Sequence, residues 1–284
     1  MSASDPHRAA LDQLADAVLG TVEQVVDPGG ERLESTVNSL RRLMIEFVRR
    51  YNRLQIDFDA GTVTEPVLFV ANHGFGGILD LNVLAVGAVM EDLGRGRRVT
   101  FLTHQLAWTL GMGPLVEPLG ARMASRESAH EALVEGDDVV VFPGGELDGF
   151  KPFTERNLIV FGGRTGFAKL AMDEDVPIVP IVTAGAGESL LALAHGERLA
   201  RALRLDKLLR VKALPITLSL PWGFSVGGAG LLPYLPLPTK LTTRVLPAMH
   251  ALPGEVPETY AERVHTAMQD AMTAMTKDRR PLLG

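Results

Sequence analysis

The sequence predicts an α/β protein: a mixed, largely parallel central sheet flanked by helices, entered through an N-terminal helical hairpin. Three observations carry that expectation. Short, almost wholly apolar runs rich in valine (Val67–Ala71, Val139–Phe142, Val176–Val182) read as strands buried on both faces. Segments of helical periodicity lie between them, the order expected of a sheet with crossover helices. Glycine-rich turns come directly after two of the runs, at His73-Gly74 and Pro143-Gly144-Gly145, where the loops of such sheets carry their chemistry.

Taken in order, Asp5 and Pro6 read as the cap and first residue of a helix whose apolar face is Leu11, Leu14, Val18, Val22 and Val25, ended by Asp27-Pro28-Gly29-Gly30. A second helix over 31–52 carries Leu33, Val37, Leu40, Met44, Phe47 and Tyr51 at spacings of three and four, with Arg41, Arg42, Arg49, Arg50 and Arg53 in the same region. This hairpin reads either as packed on its own domain or as a basic amphipathic element on an anionic membrane, and both hold if opposite sides are used. Residues 1–52 are therefore an extension and 53–284 the α/β domain. From there the chain alternates: a strand at Leu54–Asp59, the buried run Val67–Ala71, a helix at Leu81–Glu91, a strand at Arg98–Thr103, a helix at Glu127–Glu135, the run Val139–Phe142, a helix at Gly166–Met172 and the run Val176–Val182. Residues 220–248, dense in proline and glycine, read as irregular with short strands. A last helix, 257–277, sets Tyr260, Val264, Met268, Met272 and Met275 on one side, a stripe typical of core.

Composition excludes several functions. At 46% hydrophobic and 22% charged, the 284 residues bury a sizeable core. A net charge of −6, with no basic stripe interleaved with aromatics, argues against nucleic-acid binding. With no cysteine there is no disulfide, thiolate zinc site, iron–sulfur cluster or cysteine nucleophile. The start has no signal-peptide pattern, and no apolar run reaches the roughly 18 residues of a membrane span. A soluble or peripherally membrane-bound cytoplasmic protein is expected. There is no His-Glu-x-x-His, so no metal is expected.

The most telling stretch is Asn72-His73-Gly74-Phe75-Gly76-Gly77-Ile78-Leu79-Asp80, at the mouth of a buried strand. Imidazole titrates near neutrality, and a carboxylate on its far nitrogen fixes the tautomer and raises basicity, so His73 with Asp80 has the makings of a general base. A histidine ending a strand is also a common structural residue. The pair Gly144-Gly145 reads as an anion-binding nest or as a tight turn. Arg126, with a planar fork suited to oxyanions, reads as a phosphate ligand or as a surface ion pair with Glu127 or Glu131. His104 lies just after a strand and is a weaker candidate for the same cleft; His130, His195 and His250 have no partner spacing that asks for a role.

Four blocks in this order resemble the glycerophospholipid (lysophospholipid) acyltransferase superfamily over roughly residues 50–250: Asn72-His73…Asp80, Gly120…Arg126, Phe142-Pro-Gly-Gly-Glu146 and Val176-Pro-Ile-Val-Pro180. The sequence departs from that pattern twice. Six residues rather than four separate His73 from Asp80, and the third block has Gly144 and Leu147 where the family has glutamate and arginine. The Pro-Gly-Gly variant, with Arg164-Thr-Gly-Phe-Ala-Lys-Leu-Ala171, is similar to the diacylglycerol-acyltransferase-like branch.

The resemblance implies acyl transfer from a thioester, acyl-CoA or acyl carrier protein, to a hydroxyl of a glycerolipid, with no other cofactor. His73 would be the base and Asp80 its orienting group. Gly144 and Gly145 would supply backbone donors, and Arg126 a phosphate or pantetheine contact. Glu146 and Asp148 would hold the glycine loop or stand as solvated loop acids, and either Lys151 or Arg156 would take over from the missing arginine or the acceptor would be neutral. Two alternatives stand beside it. Gly223-Phe-Ser225-Val-Gly227 matches the nucleophile elbow of serine lipases and esterases, although the adjoining Gly228-Ala-Gly-Leu-Leu-Pro233-Tyr-Leu-Pro236 cannot continue as a helix. The altered spacing at His73 and the missing arginine of the third block also fit a lipid-binding, membrane-associated protein that has lost the chemistry.

Overall fold

The computed structural model describes residues 31–59, 61, 63–74, 80–103, 108, 113–194, 216–219, 223–226 and 235–284. The helix read over residues 5–26, the stretch 75–79, His104 and His195 lie outside them. The first described element is α1 (Glu31–Tyr51), then β1 (Gln55–Phe58), β2 (Leu68–Ala71), α2 (Leu81–Leu93) and β3 (Val99–Thr103). Next come β4 (Ala121–Met123), α3 (Arg126–Val134), β5 (Asp138–Val141), the single turn α4 (Gly145–Gly149), α5 (Gly166–Asp173) and β6 (Ile178–Ala184). Strands β7 (Leu191–Ala194), β8 (Ile216–Ser219), β9 (Gly223–Val226) and β10 (Thr242–Val245) precede the closing helix α6 (Pro257–Thr276).

Seven strands form the main sheet in the order β1-β10-β6-β2-β5-β3-β4. β6, β2, β5, β3 and β4 are mutually parallel, β10 runs antiparallel to β6, and β1 pairs with β10 in parallel. The fold is thus the mixed, largely parallel α/β sheet that the valine runs predict. The alternation of side chains along a strand divides the core in two. Leu68, Val70, Val139, Val141, Ile178 and Val182 face Ala129, Leu133, Phe167, Leu170, Val264 and Met268 of α3, α5 and α6. Val67, Phe69, Ala71, Val140, Val179 and Ile181 face Val86, Val89 and Met90 of α2. Because helices cover both faces, the strands need no polar side, which is why they read as continuous apolar runs.

Helix α1 docks by Val48 against Leu81, Ala186 and Leu241, while Leu40 and Leu43 stay exposed. The Asn52 amide donates to the Thr239 carbonyl and its own carbonyl accepts from the Leu241 N–H, seating the end of α1 beside β10. The second sheet is antiparallel, β7-β8-β9. Sequence patterning did not find β7, whose Leu-Ala-Leu-Ala has no β-branched residue, nor the three-residue β4.

Candidate active site

Strands β2, β5 and β6 end at the same edge of the sheet, so the chain leaving each one meets its neighbours there. Asn72, buried just past β2, continues the ladder with its side chain: Thr183 N–H donates to Oδ1 at 2.9 Å and Nδ2 donates to the Thr183 carbonyl at 3.1 Å. Its own carbonyl accepts from Asn82 Nδ2 at 2.7 Å. The point at which His73 departs is therefore tied to β6 and to α2.

His73 Nδ1 lies 2.5 Å from Asp80 Oδ2. The longer loop between them does not keep them apart, because α2 turns back over the strand end and Asp80 is its N-cap. Asp80 Oδ1 accepts from the Asn82 N–H at 2.8 Å, leaving Oδ2 for the imidazole. The ring stacks on Phe142 with centroids 4.6 Å apart. Among the described residues Nε2 has no hydrogen-bond partner. A carboxylate on Nδ1 leaves the proton there and the lone pair on Nε2, the arrangement a general base needs.

Beneath the ring, the His73 N–H donates to Asp148 Oδ2 at 2.6 Å. Asp148 is fully buried, and its Oδ1 accepts from Lys151 Nζ at 2.5 Å and from the Val160 N–H at 2.9 Å. Lys151 also donates to the Leu158 carbonyl. Its ammonium is thus sealed inside, and the substrate contact suggested for it is corrected to an internal ion pair: the turn of α4 folds Lys151 back over Asp148.

The glycine turn after β5 is held from outside by Arg164, which donates to the carbonyls of Pro143 (2.8 Å) and Gly144 (2.6 Å) and to Glu146 (3.0 Å). Gly145 has φ +50° and its N–H donates to the Phe142 carbonyl, so that amide is used within the turn. The Gly144 N–H has no acceptor among the described residues. A side chain at Gly144 would overlap the Asp148 Cβ and the Val160 carbonyl, so only glycine lets the turn close over that carboxylate. Glu146 faces Arg164 and helps hold the turn.

Arg126 opens α3 beyond β4, three strands from β2, which at sheet spacing is roughly 14 Å. Its guanidinium is exposed and pairs with Asp173, not with Glu127 or Glu131. Arg156 stacks on Phe153 at 4.2 Å and donates to the Phe153 carbonyl, while its buried Nε has no hydrogen-bond partner among the described residues and lies 3.9 Å from Glu188. Burial pushes the Glu188 carboxyl up, but Arg279, the Leu282 N–H, and Thr239 together hold it below its ordinary value.

His130 pairs with Glu174 on the surface, and His265 Nε2 lies 2.8 Å from the Ile159 carbonyl. No cluster of three metal-binding side chains occurs among the described residues. Ser225 lies within β9, paired with Thr217 in an antiparallel sheet. That is not the strand-to-helix turn a nucleophile elbow requires. The positioning groups that sequence reasoning left without a role are Asn72, Phe142 and Arg164; no spacing rule marks them, since each acts across strands.

The family model described as Acyltransferase matches residues 45–184, which contain His73, Asp80, Arg126 and the glycine turn. An uncharacterized protein of Mycobacterium tuberculosis is 28% identical over 242 residues, 81% of this chain and 63% of its own length. A chicken protein named as a DGAT1/2-independent enzyme synthesizing storage lipids is 28% identical over 169 residues, covering 56% of this chain and 50% of its own. The chain thus spans less than two thirds of the curated relatives it matches. The crystal structure of the 1-acyl-sn-glycerophosphate (LPA) acyltransferase PlsC from Thermotoga maritima superposes with a TM-score of 0.51 over 94% of this chain and 90% of that one, at 12% identity, a likeness of fold.

Proposed function

Because residues 45–184 match the acyltransferase family model, we propose that this chain moves a fatty acyl group from an acyl thioester, acyl-CoA or acyl carrier protein, to a hydroxyl of a glycerolipid such as a lysophospholipid or a mono- or diacylglycerol. The observation that carries this is the His73–Asp80 contact of 2.5 Å at the strand ends, with Nε2 unpartnered among the described residues. The acceptor hydroxyl attacks the thioester carbonyl as its proton passes to Nε2. The tetrahedral intermediate then collapses, the C–S bond breaks, and the departing sulfur takes the proton from Nε2. Such general-base assistance is worth about 10²–10⁴-fold. The Gly144 N–H is the candidate oxyanion donor, with the rigid turn of Gly145, Glu146 and Arg164 behind it. Arg156 is the candidate for the acceptor's headgroup. Arg126 would meet the phosphate or pantetheine of the donor on releasing Asp173. No cofactor other than the thioester co-substrate enters the scheme.

We place the protein at the cytoplasmic membrane surface, where its acceptor lies. Leu40 and Leu43 are exposed on α1 beside Arg41 and Arg42, the composition of an interfacial helix, and no described helix is long and apolar enough to cross a membrane. The alternative of a lipid binder without chemistry rested on the spacing around His73 and on the missing arginine of the third block; the contact with Asp80 answers the first, while Leu147 stands at the arginine's position.

Thiol release from acyl-CoA and acyl carrier protein donors, with and without lysophospholipid, monoacylglycerol or diacylglycerol, tests the reaction beside His73→Ala. Acceptor-dependent release lost in the variant is expected, and the preferred acceptor decides whether a phosphate is read. Release equal in both proteins, or in neither, would overturn it.

A further inference from the structure

Asp148 is buried as completely as the valines of β5, and its neutralising partner Lys151 is nearly so. An ion pair taken out of water recovers its desolvation only in part, so such a pair is a poor device for stability alone. What distinguishes this one is the set of groups it holds. Oδ2 receives the His73 N–H at 2.6 Å, Oδ1 receives the Val160 N–H at 2.9 Å, and the Lys151 ammonium donates to the Leu158 carbonyl. Three segments meet on one carboxylate: the end of β2 with the base, the turn after β5, and residues 158–160. A carboxylate accepts all three donors at once; an amide cannot, because one of its two ends is itself a donor. Gly144 leaves the space in which Asp148 reaches that position.

We propose that Asp148, held in place by Lys151, is a positioning residue for His73. It fixes the main chain of the base as Asp80 fixes its ring, and this rests on the reading of His73 as the base. Asn72 fixes the residue before the base and Phe142 one face of its ring; with the N–H and Nδ1 held as well, Nε2 has one direction in which to point. Displacing a catalytic group by about 1 Å costs on the order of 10²-fold in rate.

The test uses two charge-balanced double variants, so that no lone charge is stranded in the interior. Asp148→Leu with Lys151→Met removes every acceptor; Asp148→Asn with Lys151→Met keeps one. The expected result is kcat lower by about 100-fold in the first and by an intermediate factor in the second, with KM for donor and acceptor close to the parent's. In 15N-histidine-labelled protein, the downfield Nδ1 proton of His73 is expected to be sharp in the parent, weaker in the Asn variant and lost in the Leu variant. A folded variant, judged by circular dichroism, that keeps the parent's kcat and the sharp Nδ1 proton would overturn the inference. If the Leu variant does not fold, the Asn variant decides by the same two readouts. Absence of His73-dependent turnover in the parent would defeat the proposed reaction instead, while the Nδ1 proton, which needs no turnover, still decides the role of Asp148.

Discussion

Asp80→Asn separates the two tasks of one side chain. Asp80 caps α2 through Oδ1 and holds His73 through Oδ2. Asparagine is as good an N-cap as aspartate, so Oδ1 can go on accepting from Asn82 and the helix should stay, whereas Asp80→Ala should cost about 1 kcal/mol. The other end of the side chain becomes an NH₂ facing Nδ1. Two donors cannot share that contact, so the imidazole must put its lone pair on Nδ1 and its proton on Nε2, the atom assigned to take the proton of the acceptor. The same inversion in an unrelated Ser-His-Asp enzyme lowers kcat about 10⁴-fold, which at 1.36 kcal/mol per decade is about 5 kcal/mol of lost transition-state stabilisation. The assay is thiol release from acyl-CoA read with a thiol-reactive dye, which has no background from a chain without cysteine. Turnover in Asp80→Asn within an order of magnitude of the parent, at an unchanged urea midpoint, would refute the assignment of Asp80 as the group that orients the base.

Glu188 is held below its ordinary value of 4.5, so its stabilising effect is complete above that pH and drains away as pH falls through the lower folded value. Glu188→Gln, which strands the buried Arg279, should therefore cost about 3–5 kcal/mol in urea unfolding at pH 7, with the gap to the parent closing in acid. A gap constant down to pH 3 would contradict this. Met268→Ala, at a fully buried position of α6 against the sheet, should lower stability by about 2–5 kcal/mol with turnover of the remaining folded protein unchanged. Gly144→Ala should cost about 1–3 kcal/mol through its overlap with Asp148 and Val160 and should lower kcat as well; a variant with parental stability would show that the turn has room to move.

Much of the architecture was legible because its strands are buried on both faces. Val67–Ala71, Val139–Phe142 and Val176–Val182 carry that condition in composition alone, and all three are central neighbours in the sheet. The helices at 81–93 and 257–276 were legible within two residues of their observed ends, the second from its apolar stripe. β7 and β8 were not, because they pair with each other across a gap in sequence and each, Leu-Ala-Leu-Ala and Ile-Thr-Leu-Ser, is only four residues long. In the site, His73 and Asp80 were visible as a histidine and a carboxylate near one strand end, but nothing in the spacing says whether six residues let them touch. That is settled by α2, which starts at Asp80 and so points its cap back at β2. Lys151 shows the opposite case. A lysine after a glycine turn reads as a substrate cation, yet burial is a property of the neighbours Asp148 and Leu158, and three- and seven-residue separations in a loop do not announce it.

The edge position of β1 has a kinetic consequence. Its only ladder among the described residues is with β10, and roughly 180 residues separate the two, which at 5–20 residues per second is on the order of 10–40 s of synthesis. During that interval the five parallel strands can already collapse around β2, while β1 and the helix before it wait as an unpaired strand and an amphipathic helix with its apolar side bare. Pairings across such a span are the slow ones in folding, because the chain entropy of the closure is lost before any contact repays it. The segment that leaves the ribosome early is therefore the one that joins the fold late, and in this window its bare edge and apolar side are open to aggregation or to capture by a chaperone.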